Sequence, residues 1–173
     1  MRVEPRIIEQ YVADGTVSLS FGHVLDHGDR SMRAHRAAEC AGRQSPLAFW
    51  QMHDLLFERQ NQLWQGDDEL AIAWAGEIGL ETDAMRTCMA DPSVLEKINR
   101  IDQQRRDQGI RLRPSFDING QIFEGAIPFE AFVQLFDTSW RRPEQEITAR
   151  IWGFDRTVQE PSKRGGTTGA SRP

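Results

Sequence analysis

The sequence predicts an α/β fold interrupted by a block of helices, and three stretches make that prediction. From Gly109 to Phe129 it reads as a strand, a hairpin turn, a second strand and the opening of a helix. From residue 2 to residue 21 a helix is followed by a strand, the tail of a βαβ unit whose first strand is not in the sequence. Between these lies a run of about 80 residues with the 3.6-residue spacing of successive amphipathic helices.

The hairpin stretch is the most explicit. Leu112, Phe116 and Ile118 fall on alternate positions, which points three apolar side chains to one face of a strand. Asn119-Gly120 suits a type I′ turn, whose two central residues need positive φ. Ile122 and Phe123 resume the strand, Gly125 ends it, and Pro128 opens a helix where its missing N–H costs nothing. Pro114 cannot donate to a ladder, so it belongs at the strand entrance, where a cis bond is a candidate.

In chain order, Val3, Ile7, Ile8, Tyr11 and Val12 give residues 2–14 one apolar helical face. Val17, Leu19 and Phe21 alternate with Thr16, Ser18 and Ser20, a strand over 16–21. A loop rich in Gly, Asp and His covers 22–29. Helices are expected over 30–41, over 46–64 after the Ser45-Pro46 cap, over 68–78 after Asp67, from Thr82 to Ala90, and from Pro92 to Gly109. The aromatic residues Trp50, Trp64, Trp74, Phe132, Phe136 and Trp140 read as core. Residues 141–156 read as a C-terminal extension with a short helix, and the apolar-poor 157–173 as a disordered tail.

Composition narrows the function classes. With 173 residues, 39% hydrophobic and 27% charged, one globular domain with a full core is expected. A net charge of −5 argues against nucleic acid as the main partner. No run of 18 apolar residues offers a membrane span, and the first ten residues hold no signal-peptide core. His23 and His27 share a loop without further metal-type ligands, so a surface loop and no metal site are expected, with His53 at a helix surface. No cofactor is implied.

The wording around Pro114 resembles that of the DsbA-like thiol–disulfide oxidoreductases, a branch of the thioredoxin fold. Pro114, Phe116, Ile118, Asn119, Gly120, Gly125, Pro128, Phe129, Glu130 and Phe132 carry the likeness. The blocks A-A-E-C-A-G-R-Q and F-W-Q-M-H-D-L-L-F-E-R-Q resemble the helical insertion of that family, and the likeness runs over roughly 2–140. Leu112 and Arg113 depart from the family wording. The resemblance implies a thioredoxin-like domain at 1–140, a helical insertion at 30–109, and exchange of thiols and disulfides with protein or peptide substrates held at the Arg113–Pro114 loop. It also suggests an extracytoplasmic or membrane-tethered setting.

That chemistry uses a C-x-x-C pair at the start of the first helix, where the helix dipole favours a thiolate. Here the pair, and the strand before it, are expected upstream of Met1, so no catalytic cysteine is expected in the chain as written. Cys40 and Cys88, 48 positions apart, have the wrong spacing and placement for such a pair. They read either as buried thiols or as a structural disulfide between the first and fourth insertion helices, a second bridge that some DsbA-like proteins carry. Arg113 reads either as a cation beside the reacting sulfurs or as a solvent-facing side chain. A redox-inactive module that binds extended peptide at the Pro114 loop is the alternative function.

Overall fold

A computed structural model describes residues 3–140 and 147–152. Helix α1 (Val3–Ile7) runs into a π-helical turn (Ile8–Val12), then strand β1 (Val17–Gly22). Six helices follow: α2 (Asp29–Gln44), α3 (Pro46–Glu58), α4 (Gln60–Gln65), α5 (Asp68–Glu77), α6 (Thr82–Ala90) and α7 (Pro92–Asp107). The hairpin β2 (Ser115–Ile118) and β3 (Gln121–Glu124), helix α8 (Phe129–Trp140) and strand β4 (Ile147–Trp152) complete the described chain.

Local chemistry sets most of these boundaries. Ala48 N–H donates to Ser45 Oγ (3.0 Å), Leu70 N–H to Asp67 Oδ1 (3.2 Å) and Ser93 N–H to Asp91 Oδ1 (2.9 Å), each satisfying a helix-start donor. Pro46 and Pro92 occupy first-turn positions. The helix expected over 46–64 is instead broken at Arg59 (φ −110°). Its guanidinium crosses to α5, 2.7 Å from Glu77 and over the ring of Trp74, and the break turns Leu63 into the core. In the hairpin Asn119 (φ 51°) and Gly120 (φ 86°) both take the left-handed conformation that the turn requires.

The sheet has the order β1-β4-β2-β3. β4 is parallel to β1, in register from Val17↔Ile147 to Gly22↔Trp152, and antiparallel to β2, with Phe116↔Ile151 and Ile118↔Ala149. Two expectations are corrected here. Within the extension, 147–152 is a strand rather than part of a helix; residues 141–146 and the tail 157–173 lie outside the described residues. The first strand of the βαβ unit, expected to be missing beside β1, has its place between β1 and β2 filled by β4. The reason is alternation over a short span: Ile147, Ala149 and Ile151 are 0%, 6% and 3% exposed, against α1, the π turn and α8, while Thr148 faces outward.

A third correction concerns Leu112, expected on the inner face of the β2 strand. The strand begins only at Ser115, so the alternation does not reach residue 112, and Leu112 is 57% exposed.

The helices α2–α7 form a lid with its own core, in which Met52, Leu56, Ile72, Trp74, Met85 and Ile98 are buried. Cys40 on α2 and Cys88 on α6 are joined by a disulfide inside this lid, Cα–Cα 5.7 Å. The bridge closes a loop spanning 48 positions, which by chain entropy is worth about 4 kcal/mol, with measured bridges commonly nearer 2. Replacing both cysteines with serine is therefore expected to lower unfolding free energy by about 2–4 kcal/mol in a guanidinium titration; equal midpoints for the two proteins would refute the bridge's role.

Candidate functional site

Strand directions gather the loops of interest at one end of the sheet. The carboxyl ends of β1 and β4 and the amino end of β2 lie together there, the place where open α/β sheets bind ligands. The loop after β1 (23–28) meets the loop before β2 (109–114), and the Arg113–Pro114 bond between the latter's last residues is cis.

The backbone of this second loop is tied at nearly every residue. Arg105 donates to Ile110 O (3.0 Å). Glu124 Oε1, from the end of β3, accepts the N–H groups of Arg111 and Leu112. Ser115 Oγ donates to Leu112 O (2.7 Å), and Gly125 N–H donates to Pro114 O (2.8 Å). Among the described residues no hydrogen bond engages the backbone N–H or C=O of Arg113. The loop is thus tied on both sides of the Arg113 N–H and C=O.

A chain of charges, buried at Asp102 and Arg105 and open to solvent at Arg113, fixes where the loop sits. Asp102 on α7 accepts from Arg105 (2.6 Å), Arg106 (2.9 Å) and Leu25 N–H (3.0 Å). Arg105 reaches Asp26 (3.6 Å), and Asp26 in turn pairs with Arg113. Asp102 and Arg105 are 5% and 3% exposed. Burial opposes ionisation of the Asp102 carboxyl, but the hydrogen bonds from Leu25, Arg105 and Arg106 outweigh it and hold it below the ordinary carboxylate range. The network joins the loop after β1, the last turns of α7 and the Pro114 loop. Arg113, read from sequence as a cation for the sulfurs or for solvent, is exposed and forms the last link of this chain.

Beside it opens a cavity of about 140 Å³ with an apolar floor of Val24, Leu56 and Leu63 and a polar rim of Asp26, Arg30 and Arg113. Trp64, expected in the core, lines this cavity half-buried, with the Arg30 guanidinium 5.6 Å above its ring. Trp74, Phe132 and Phe136 are buried as expected, Trp50 is half-buried, and the side chain of Trp140 lies outside the described residues.

Two histidines depart from expectation, while His27 is exposed as the surface-loop reading has it. His23 and His53 are 2% and 1% exposed rather than at the surface, because α2, α3 and α7 pack over the end of β1. His35 Nε2 donates to Val24 O (2.8 Å), which leaves its Nδ1 to accept from His23 Nδ1–H (3.0 Å). Burial, then the neighbouring His23, pushes His35 down to about 3, so it is a neutral wedge between lid and sheet. Glu39 stands between His23 (3.4 Å) and Lys97. Among the described residues no three His, Cys, Asp or Glu side chains gather as a metal site.

Cys40 and Cys88 are not at this end as a free pair; they are bonded to each other on lid helices, Cys40 fully buried. Sequence reasoning found Arg113 and Pro114 but missed Asp26, Asp102, Arg105 and Glu124. The one local signal was Asp102 with Arg105 and Arg106 at i+3 and i+4 on a helix.

A family model described as Thioredoxin matches residues 2–138. The chain is 21% identical over 136 residues to disulfide bond formation protein D of Bacillus subtilis (strain 168), covering 77% of this chain and 61% of that protein. It is 27% identical over 117 residues to the Na(+)/H(+) antiporter NhaA of Herminiimonas arsenicoxydans, covering 68% of this chain and 18% of that protein. It is 28% identical over 149 residues to Na(+)/H(+) antiporter NhaA 3 of Salinispora tropica, covering 83% and 22% respectively. The chain therefore spans about three fifths of the Bacillus protein and about a fifth of the antiporters. No solved structure matches it.

Proposed function

Since this chain belongs to the thioredoxin family, whose model covers residues 2–138, we propose that it serves thiol–disulfide exchange by holding extended protein or peptide substrates at the Pro114 loop. The observation that carries this reading is the Arg113 backbone, whose N–H and C=O meet no hydrogen bond among the described residues while Ile110, Arg111, Leu112 and Pro114 around it are each tied. A substrate strand that hydrogen-bonds there adds to the sheet end without any rearrangement, which keeps the ordering cost of binding small. The named role of the Bacillus relative in disulfide bond formation supports the same chemistry.

In the exchange step a thiolate attacks one sulfur of the substrate disulfide and expels the other as thiolate. A second thiol then resolves the mixed disulfide, so two electrons pass between the dithiol and the substrate. Cys40 and Cys88 are already bonded in the lid, so within residues 1–173 the Pro114 loop acts as the binding half of this reaction. A module that binds peptide and never reacts shares the same loop, and the lid position of both cysteines favours it for the chain by itself.

The test pairs binding with turnover. A fluorescent extended peptide with an alkylated cysteine is expected to bind the chain, about tenfold more weakly when Arg113→Pro removes the free N–H, a loss of about 1.4 kcal/mol. Insulin reduction by dithiothreitol is expected to run no faster with the chain than without it. Absence of peptide binding would overturn the proposal. Reductase activity lost on replacing Cys40 and Cys88 with serine would move the chemistry to the lid.

A further inference from the structure

The cavity beside the Pro114 loop has two unlike parts. Its floor is apolar: Val24 after β1, Ala34 on α2, Leu56 on α3 and Leu63 on α4, all of them buried. Side chains that line a hollow forgo dispersion contacts on its open side, and an apolar guest restores them. The volume is about 140 Å³. That is room for one ring, since an apolar cavity of about 150 Å³ takes up benzene.

The rim is polar, and its charges are not all spoken for. Asp26 is held between Arg105 (3.6 Å) and Arg113. The arginine ion pairs of α2 are made by Arg33, Arg36 and Arg43; among the described residues Arg30 makes none. Arg30 is exposed on the first turn of α2, and its guanidinium lies 5.6 Å from the centre of the Trp64 ring. A guanidinium attracts the face of an aromatic ring within about 6 Å, more strongly where water is displaced. A carboxylate entering here would meet Arg30, but it would also meet Asp26 and hang over an apolar floor. An aliphatic side chain would fill the floor and gain nothing from Arg30. A ring uses both parts.

Arg113 lines the same cavity, and its backbone N–H and C=O are the groups left for a substrate in the Pro114 loop. We propose that the cavity is a side-chain pocket for one aromatic residue of the substrate. Arg30 covers the face of the ring, and Val24, Leu56 and Leu63 receive its edge. A phenol hydroxyl would end on that floor without a partner, so phenylalanine is preferred to tyrosine. The substrate class narrows accordingly to extended segments that carry a phenylalanine. That a peptide delivers the ring rests on the proposed function above; the pocket's preference for a ring does not.

The indole N–H resonance of Trp64, assigned by its loss in Trp64→Phe, reads the pocket of the full chain without any peptide. It is expected to shift on titration with N-acetylphenylalanine amide and to stay in place with N-acetylglutamate amide. N-acetylcyclohexylalanine amide is expected to bind about threefold more weakly than the phenyl compound. That difference is expected to vanish in Arg30→Gln, a change at an exposed position outside the lid core. The extended peptide with an alkylated cysteine is expected to bind about tenfold more tightly when phenylalanine replaces alanine at one of its positions. A Trp64 resonance that ignores the phenyl compound, an equal response to the glutamate compound, or equal affinity for phenyl and cyclohexyl overturns the pocket assignment whatever the peptide does. A peptide that binds equally well with and without phenylalanine overturns the pocket's part in substrate choice and leaves the loop reading intact. Failure of every peptide while Trp64 still reports the phenyl compound overturns the loop reading and upholds the ring preference.

Discussion

Ile147→Ala is expected to cost about 2–4 kcal/mol of folding free energy, and Ile147→Asp to abolish cooperative unfolding altogether. The size of the effect follows from where the strand sits. β1 and β2 touch through β4 alone, because the sheet order is β1-β4-β2-β3. Ile147 is fully buried, 0% exposed, in the core that Val17, Phe132 and Phe136 share. An aspartate there carries an unpaired charge into an apolar layer and removes the reason for β4 to insert, so the two halves of the sheet part. Guanidinium unfolding followed by circular dichroism measures both variants. Thr148→Ala, on the exposed side of the same strand, is the control and is expected to stay within about 0.5 kcal/mol of wild type. An Ile147→Ala variant as stable as that control would show that β4 does not hold the sheet together.

The second large effect belongs to Arg105. Arg105→Ala removes one partner of a buried ion pair and is expected to cost about 3–5 kcal/mol, since Asp102 is left charged with much of its hydrogen bonding lost. Arg105→Lys is expected to recover little of it, because one ammonium cannot span Asp102, Asp26 and Ile110 O in the geometry of a guanidinium fork. The same network has an acid signature. The Asp102 carboxyl is held below its ordinary range in the folded chain, so its contribution is fully present above the unfolded value of about 4 and is lost as pH falls through the lower, folded value. A plot of unfolding free energy against pH is expected to fall below about pH 4 in the wild type and to be flatter there in Asp102→Asn. Parallel curves would assign the acid sensitivity to other carboxylates. Peptide binding at the Pro114 loop is expected to weaken in Arg105→Ala even where the protein remains folded, because Ile110 and Asp26 lose their anchor.

What the sequence made legible was local. Asn119-Gly120 announces a turn because few residues accept positive φ twice in succession, and both take it. Ser45-Pro46 and Asp91-Pro92 announce helix starts because their chemistry is complete within four residues. The family wording around Pro114 located the candidate loop. What escaped was whatever needs a distant partner to acquire meaning. Ile147, Ala149 and Ile151 alternate over too few residues to outweigh a helical reading, and their role is set by strands that begin at residues 17 and 115. Asp26, Arg105 and Arg113 are ordinary charged residues until the fold places them in one line. His23 looked solvent-facing in a polar loop because the helices that bury it lie further along the chain.

The position of β4 in the chain has a consequence for synthesis. Both cysteines of the lid, and all of its helices, are complete once the ribosome has passed residue 107, whereas the strand that joins β1 to β2 begins at residue 147. At roughly 5–20 residues per second, β4 follows Cys88 by several seconds. During that interval the lid can collapse and its thiols can meet, while β1 and the hairpin wait as separate pieces with their apolar faces open. Oxidation of the nascent chain and assembly of its sheet are thereby separated in time, and a holdase acting on this protein is expected to grip the sheet segments rather than the lid.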